Sequence, residues 1–302
     1  MINNFDSKNI IVFGSRKITI DIIEYILSST NHKIVYVSEC DAERDRVYGS
    51  ELVGEYCLKK RIVCGNSESI IDCSLMRPDI IFSAYYRKIL KRDLLLVANM
   101  GCINIHPAFL PQYRGPAPSL WNILKGEITA GSTIHYMVEN IDAGDIIDQK
   151  KLEIGDRTGF ELNRDLMNLG FELFVDNFND IMCGISNRSP QDNDKATYCL
   201  PFCNNMRYMV WGASKDVRQQ VRAFAPPYEG AITYTLGGMF VIINNVEIMD
   251  KRLSMKPPGS YFIKDNVIYI ETCDKTVVSY NWKHDRGIIK HSGRFVSGPP
   301  HI

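Results

Sequence analysis

The sequence predicts an α/β protein in which a mostly parallel, doubly wound sheet is followed by a smaller, β-barrel-like module. Three observations carry this. Short apolar runs alternate with stretches of helical periodicity through the first part of the chain. After the polar, turn-rich stretch Ser186-Asn-Arg-Ser-Pro-Gln-Asp-Asn-Asp194, the pattern shifts to closely spaced short strands parted by Gly-Gly, Pro-Pro-Gly and Asp-Asn turns. Finally, the apolar run Cys102 to Ile105 breaks abruptly at His106-Pro107. Such a polar strand end is where open α/β sheets place ligands, outside the carboxyl ends of the strands.

Taken in order, Asn9 to Gly14 reads as a buried parallel strand closed by glycine, with helical periodicity from Thr19 to Leu27 behind it. Lys33 to Ser38 repeats the strand pattern, Glu51 to Lys60 reads as a helix, and Arg61 to Cys64 as a short third strand. Asp79 to Ser83 and Cys102 to Ile105 supply the fourth and fifth, and Thr133 to Val138 another. A helix from about Thr158 to Met182, with Leu162, Leu166, Leu169, Leu173 and Phe174 on one stripe, is expected to cover the sheet. Beyond it come a helix near Lys215 to Phe224 and strands at Ala231–Leu236, Met239–Met249, Ser260–Ile263, Val267–Ile270 and Thr276–Tyr280. The expected organisation is a catalytic domain over 1–190, a linker over 191–210 and a C-terminal domain over 211–302.

The 302 residues suffice for two cores, and 35 basic side chains balance 35 acidic ones. That neutrality removes the sequence-level argument for a general nucleic-acid binder, whose phosphate affinity rests on clustered Lys and Arg. The insert from Glu39 to Tyr48 likewise mixes both signs. Nine cysteines are scattered without the paired spacing of a zinc site, and His284, His291 and His301 show no ligand spacing, so no metal is expected. With no signal-peptide pattern and no apolar run near the roughly 20 residues that span a membrane, a cytoplasmic protein is expected. Gly14-Ser-Arg-Lys-Ile lacks the Gly-x-Gly-x-x-Gly that a dinucleotide pyrophosphate requires, so the Rossmann-like sheet is a scaffold and NAD is not expected.

Asn104 and His106, two apart on an extended chain, point to the same face. Alone, such a pair is commonly structural. Asp142 adds a carboxylate in the turn-forming string Ile-Asp-Ala-Gly-Asp145, at the end of a further strand. The three pieces Asn104-x-His106-Pro107, Leu110-Pro-Gln-Tyr-Arg-Gly115 and Ile141-Asp-Ala-Gly144 resemble the formyltransferase family that uses N10-formyltetrahydrofolate. The likeness extends through Pro78 to Leu90, Trp121 to Glu127 and Val221 to Gly230. Within the family the Tyr85-Tyr-Arg87 string and compact layout look closest to enzymes that formylate amino sugars on nucleotide carriers, including the formyltransferase domain of the aminoarabinose lipid A pathway. Methionyl-tRNA formyltransferases are the next neighbours.

The resemblance implies an OB-like C-terminal domain, a dTDP- or UDP-linked amino sugar as acceptor for surface polysaccharide or glycolipid synthesis, with formylation of methionyl-tRNA as the alternative, and a possible homodimer; the balanced charge and the lack of a long apolar run imply no nucleic-acid or membrane partner. A binding module that keeps the shape without turnover is the alternative from another class, and the intact Asn104, His106 and Asp142 argue against it. Attack of an amine on a formyl carbon creates a tetrahedral species with a negative oxygen, which needs a preorganised donor. Asn104 suits that task. The attacking amine loses a proton and the leaving nitrogen gains one, which suits the imidazole of His106, while a carboxylate at Asp142 favours the imidazolium and fixes the ring. By resemblance, Lys88, Ile89 and Leu90 with Val138, Glu139, Asn140 and Ile141 form the pterin slot, largely through backbone groups. Tyr85, Tyr86 and Arg87 are expected on the acceptor side, and Arg114 is expected to offer its planar fork to a phosphate or carboxylate. The chain departs from the aminoarabinose-pathway enzyme at Pro116, where that enzyme has a folate-contacting arginine, because proline cannot supply those donors. His135 reads as a sheet-face histidine rather than a second base.

Overall fold

The computed structural model describes residues 6–40, 49, 51–66, 68–285 and 288–296. Most of the charged insert expected at Glu39 to Tyr48 lies outside the described residues, as does His301. Two compact units divide the chain: 1–118, 130–152 and 164–200 form the first, and 119–129, 153–163 and 201–302 the second.

The first unit is built on β1 (Asn9–Gly14), β2 (Lys33–Glu39), β3 (Cys64–Gly65), β4 (Ile80–Ala84), β5 (Cys102–His106), β6 (Thr129–Tyr136) and β7 (Ile146–Glu153), in the order β3-β2-β1-β4-β5-β6-β7. The first five run parallel, and β6 lies antiparallel to β5. β1 and β4 are buried on both faces, because helices cover both sides. Ile10 and Val12 enter one core with Ile18, Ile22, Ile23 and Ile26 of α1 (Arg16–Ser29). Ile11 and Phe13 enter the other, with Cys73 of α3 (Ile70–Leu75) and Leu94 of α4 (Arg92–Leu95). Here α2 is Val53–Lys60, whose Val53, Tyr56 and Cys57 pack on the α1 side. Each buried Ile or Phe contributes about 1.5–3 kcal/mol.

After α5 (Pro118–Leu124), α6 (Gly159–Met182) begins with a capping box in which Glu161 N–H donates to Thr158 Oγ1 at 3.3 Å and Thr158 N–H donates to Glu161 Oε2 at 2.9 Å. Its Phe174 and Phe178 meet Phe82 of β4 edge-on and stacked, respectively. The third strand is shorter than expected: Arg61 takes a left-handed conformation (φ 58°) that ends α2, so pairing starts only at Cys64.

The second unit carries an antiparallel sheet of β8 (Ala231–Thr235), β9 (Phe240–Ile243), β10 (Glu247–Ile248), β11 (Ser260–Lys264), β12 (Val267–Glu271), β13 (Thr276–Ser279), β14 (Trp282–His284) and β15 (Ser292–Val296). It is consistent with a small barrel-like domain. Asp265 and Asn266, both at positive φ (51° and 61°), form the two-residue turn between β11 and β12, as a tight hairpin requires. The expected strand Met239 to Met249 is interrupted at Asn244-Asn245, while β14 and β15 were not expected, since Lys, His, Gly and Arg hide their alternation. Val217 and Val221 of α7 (Ser214–Phe224) join Trp211, Ile243, Ile268 and Phe295 in one core.

Candidate active site

The C-terminal end of β5 and its antiparallel partner β6 hold the polar cluster. Register places Asn104 opposite His135 and His106 opposite Thr133. Thr133 Oγ1 donates to Ala108 O (2.7 Å) and accepts from Leu110 N–H (3.2 Å) and from Gln149 Nε2 (2.8 Å), which anchors the loop after His106. That loop brings Tyr113 O to 3.0 Å from His106 Nε2.

Asp142 lies in the turn after β6, with its own backbone left-handed at φ 51°. Its Oδ2 is 3.5 Å from His106 Nδ1 and accepts from Gly115 N–H at 2.8 Å, while its Oδ1 is 3.7 Å from His135 Nε2. Asp142, remote in sequence from β5, is therefore brought beside His106, and both Asp142 and Asn104 meet His135. Both nitrogens of His106 thus face acceptor oxygens. Gly144 is required here by space, because a Cβ on it would stand 2.0 Å from Tyr136 O.

His135 was missed as a member of this cluster. Its Nδ1 faces Tyr136 O at 2.8 Å, and a carbonyl can only accept, so that nitrogen bears the proton and Nε2 is an acceptor. Asn104 Nδ2, 3.2 Å from that Nε2, is thereby set as the donor end of its amide, with a second N–H still free to point elsewhere. Burial pushes His135 down to about 4, outweighing the pull of the Asp142 carboxylate, and the His106 charge pushes in the same direction as burial. The signal that could have found it is pairing register, which alternation within one strand does not contain.

The remaining expected residues fall into two groups. Ile89, Val138 and Ile141 are 69%, 47% and 47% exposed, and Glu139 and Asn140 are exposed beside them, on the loops that follow β4 and β6 on either side of β5. Leu90 departs from the slot by its side chain, which packs in the core with Ile11 and Leu94. The Lys88 ammonium pairs with Glu68. Tyr85, at φ 55°, lies under the Arg16 guanidinium (5.0 Å to the ring centroid). The Tyr86 hydroxyl sits 3.1 Å from Ser38 Oγ and donates to Glu68, and Arg87 is exposed with its N–H on Cys40 Sγ. Arg114 corrects the expectation placed on it. It is 2% exposed, and its guanidinium donates to Gln191 Oε1 (2.7 and 3.2 Å), Asn193 Oδ1 (2.9 Å) and the Tyr198 hydroxyl (3.1 Å), so its fork is occupied within the fold. Among the described residues no group of His, Cys, Asp and Glu could hold a metal ion, and no helix is long and apolar enough to cross a membrane.

At the end of β5 an amide, an imidazole and a carboxylate are thus gathered on one α/β sheet. The formyl transferase family profile matches residues 9–176, and the chain belongs to that family: it is a formyltransferase. It is 36% identical over 174 residues to the methionyl-tRNA formyltransferase of Carboxydothermus hydrogenoformans, a match spanning 57% of this chain and 56% of that enzyme. It is 30% identical over 237 residues to that of Ruminiclostridium cellulolyticum, covering 74% of this chain and 75% of the relative. In fold it is similar to an N-formyltransferase from Helicobacter canadensis solved with folinic acid and dTDP-3-aminofucose, with a TM-score of 0.71, 21% identity, 92% of this chain covered and 99% of that one.

Proposed function

We propose that this protein transfers the formyl group of N10-formyltetrahydrofolate to the amino group of a nucleotide-linked amino sugar. The observation that carries the chemistry is the Asn104–His106–Asp142 arrangement at the end of β5. Asn104, its amide turned by His135, offers a donor to the oxygen that becomes negative. His106 receives the proton of the attacking amine and returns it to the departing nitrogen, and Asp142 orients the ring and stabilises its charged form.

The donor fits the loops beside β5. Exposed Ile89, Val138 and Ile141 offer apolar surface next to a polar centre, which suits a flat heteroaromatic ring with polar edges, and Lys88 to Leu90 and Val138 to Ile141 present backbone groups to it. The folate would supply the formyl group. Arg114 is left out of the acceptor contacts, and Tyr85, Tyr86 and Arg87 are retained there.

For the acceptor, support comes from the balanced charge and from the likeness in fold along nearly the whole length of a protein solved with a dTDP-amino sugar. Methionyl-tRNA is the second reading, favoured by the sequence relatives. A product for surface glycoconjugates and a cytoplasmic site of action accompany the sugar reading. Purified protein is to be incubated with N10-formyltetrahydrofolate and a panel of dTDP- and UDP-amino sugars, in parallel with charged methionyl-tRNA, following tetrahydrofolate release and product mass. Gain of one formyl group on a sugar nucleotide is expected. Formylation of the tRNA alone selects the second reading, and no release with any acceptor overturns both.

A further inference from the structure

We propose that Gln191, together with Arg114, is a positioning bracket that holds the Asp142 carboxylate in register with His106; this rests on the reading of Asp142 given above. The segment around Gln191 has the composition of a linker, yet it closes a circuit of hydrogen bonds around the site. Gln191 Nε2 donates to Asp142 O at 2.8 Å and to Gly144 O at 2.7 Å. Its Oε1 accepts from Arg114 Nε and Nη2 at 3.2 and 2.7 Å. The next residue after Arg114 is Gly115, whose N–H donates to Asp142 Oδ2 at 2.8 Å. One side chain therefore links the backbone that carries the carboxylate to the backbone that grips it.

The circuit has a reason to exist. Asp142 is a non-glycine residue at φ 51°, a conformation that persists where the surroundings over-determine it. Gly144, by coming so close to Tyr136 O, leaves the turn no room to relax inward. The amide of Gln191 fixes two carbonyls of that turn from outside, and it can do so only because the buried guanidinium of Arg114 holds the other end of the amide as acceptor. A carboxylate at position 191 would keep the Arg114 partnership but would face two carbonyl oxygens with no donor. Gln191→Glu thus separates the hold on Asp142 from the hold on the loop.

The test compares wild type, Asp142→Asn, Gln191→Glu, Gln191→Met and Arg114→Met. The quantities read are kcat, KM for N10-formyltetrahydrofolate and for the acceptor turned over by wild type, and the thermal midpoint. In Gln191→Glu, kcat is expected to fall about 100-fold, as misplacement of a reacting group by about 1 Å does, with both KM values within about twofold. The thermal midpoint should stay within a few degrees of wild type. Arg114→Met should show the same kcat-only loss, whereas an arginine that binds the acceptor's phosphates would raise its KM. Should Gln191→Glu fail to fold, Gln191→Met, of similar length and without polar atoms, decides by the same split. Wild-type kcat in the Gln191 variant, or a loss carried by KM, alongside an inactive Asp142→Asn, overturns the bracket and leaves the site reading standing. Full activity in Asp142→Asn, or no turnover by wild type, overturns the site reading and the bracket with it.

Discussion

At the scale of single residues, the site is an arrangement of donors and acceptors whose directions are forced by neighbours. Tyr136 O fixes the His135 tautomer, His135 fixes the Asn104 amide, and Asp142 and Tyr113 O fix the His106 ring. Removing the donor in Asn104→Ala is expected to lower kcat about 10²- to 10³-fold, the usual loss for one oxyanion donor, with KM for the folate little changed in steady-state assays. His106→Ala should cost at least about 10²-fold in kcat with the circular dichroism spectrum preserved. His135 adds a pH dependence to folding. Its ordinary value of 6.5 in the unfolded chain falls to about 4 in the fold, so between the two the unfolded chain binds a proton that the folded chain refuses. Its contribution is complete above 6.5 and is lost as pH falls from there to about 4. Melting temperature should therefore drop on acidification through that window, and His135→Asn, with nothing to titrate, should show a shallower drop.

At the scale of elements, two helix starts illustrate local and remote capping. The Thr158–Glu161 box that begins α6 lies within four consecutive residues and is legible as sequence. The cap of α7 is supplied from elsewhere: Asp274, beyond β12, accepts from Ser214 N–H at 2.7 Å and from Ser214 Oγ at 2.9 Å. The Ser214 backbone N–H first, with the Ser214 and Thr272 hydroxyls adding to it, holds the Asp274 carboxyl down at about 2 against the opposing pull of desolvation. Asp274→Ala is expected to cost about 1 kcal/mol in urea unfolding, as lost N-caps do. The site shows the same division. The Asn104–His106 spacing on β5 and the Ile-Asp-Ala-Gly turn are local patterns, visible before folding. The pairing of Asn104 with His135 depends on how β5 and β6 slide past each other, and the grip of Gln191 on Asp142 spans 49 positions. Neither leaves a mark in either segment alone.

At the scale of the whole molecule, charge is the property that bears on the acceptor. An enzyme that engages a small sugar nucleotide neutralises few phosphates, whereas one that grips tRNA releases many counterions. The turnover of the sugar acceptor should accordingly change by less than about tenfold in kcat/KM between 50 and 200 mM salt, against about 10³-fold or more for a binder with six or more phosphate contacts. A steep salt slope measured with methionyl-tRNA would move the assignment to the second reading.

The alternation of strands and helices, the switch to short strands and the local patterns that carry Asn104, His106 and Asp142 are legible before the chain folds. These follow from periodicity, turn chemistry and motif spacing, all short-range properties of the chain. Tertiary structure alone decided what Arg114 does, what His135 does and how Asp142 is held. Arg114 had the composition of a ligand-binding loop arginine, but its fork closes on Gln191, Asn193 and Tyr198. The physical reason is that hydrogen bonds between side chains depend on direction and distance in space, and a chain encodes these only once its strands have taken register and its loops have closed.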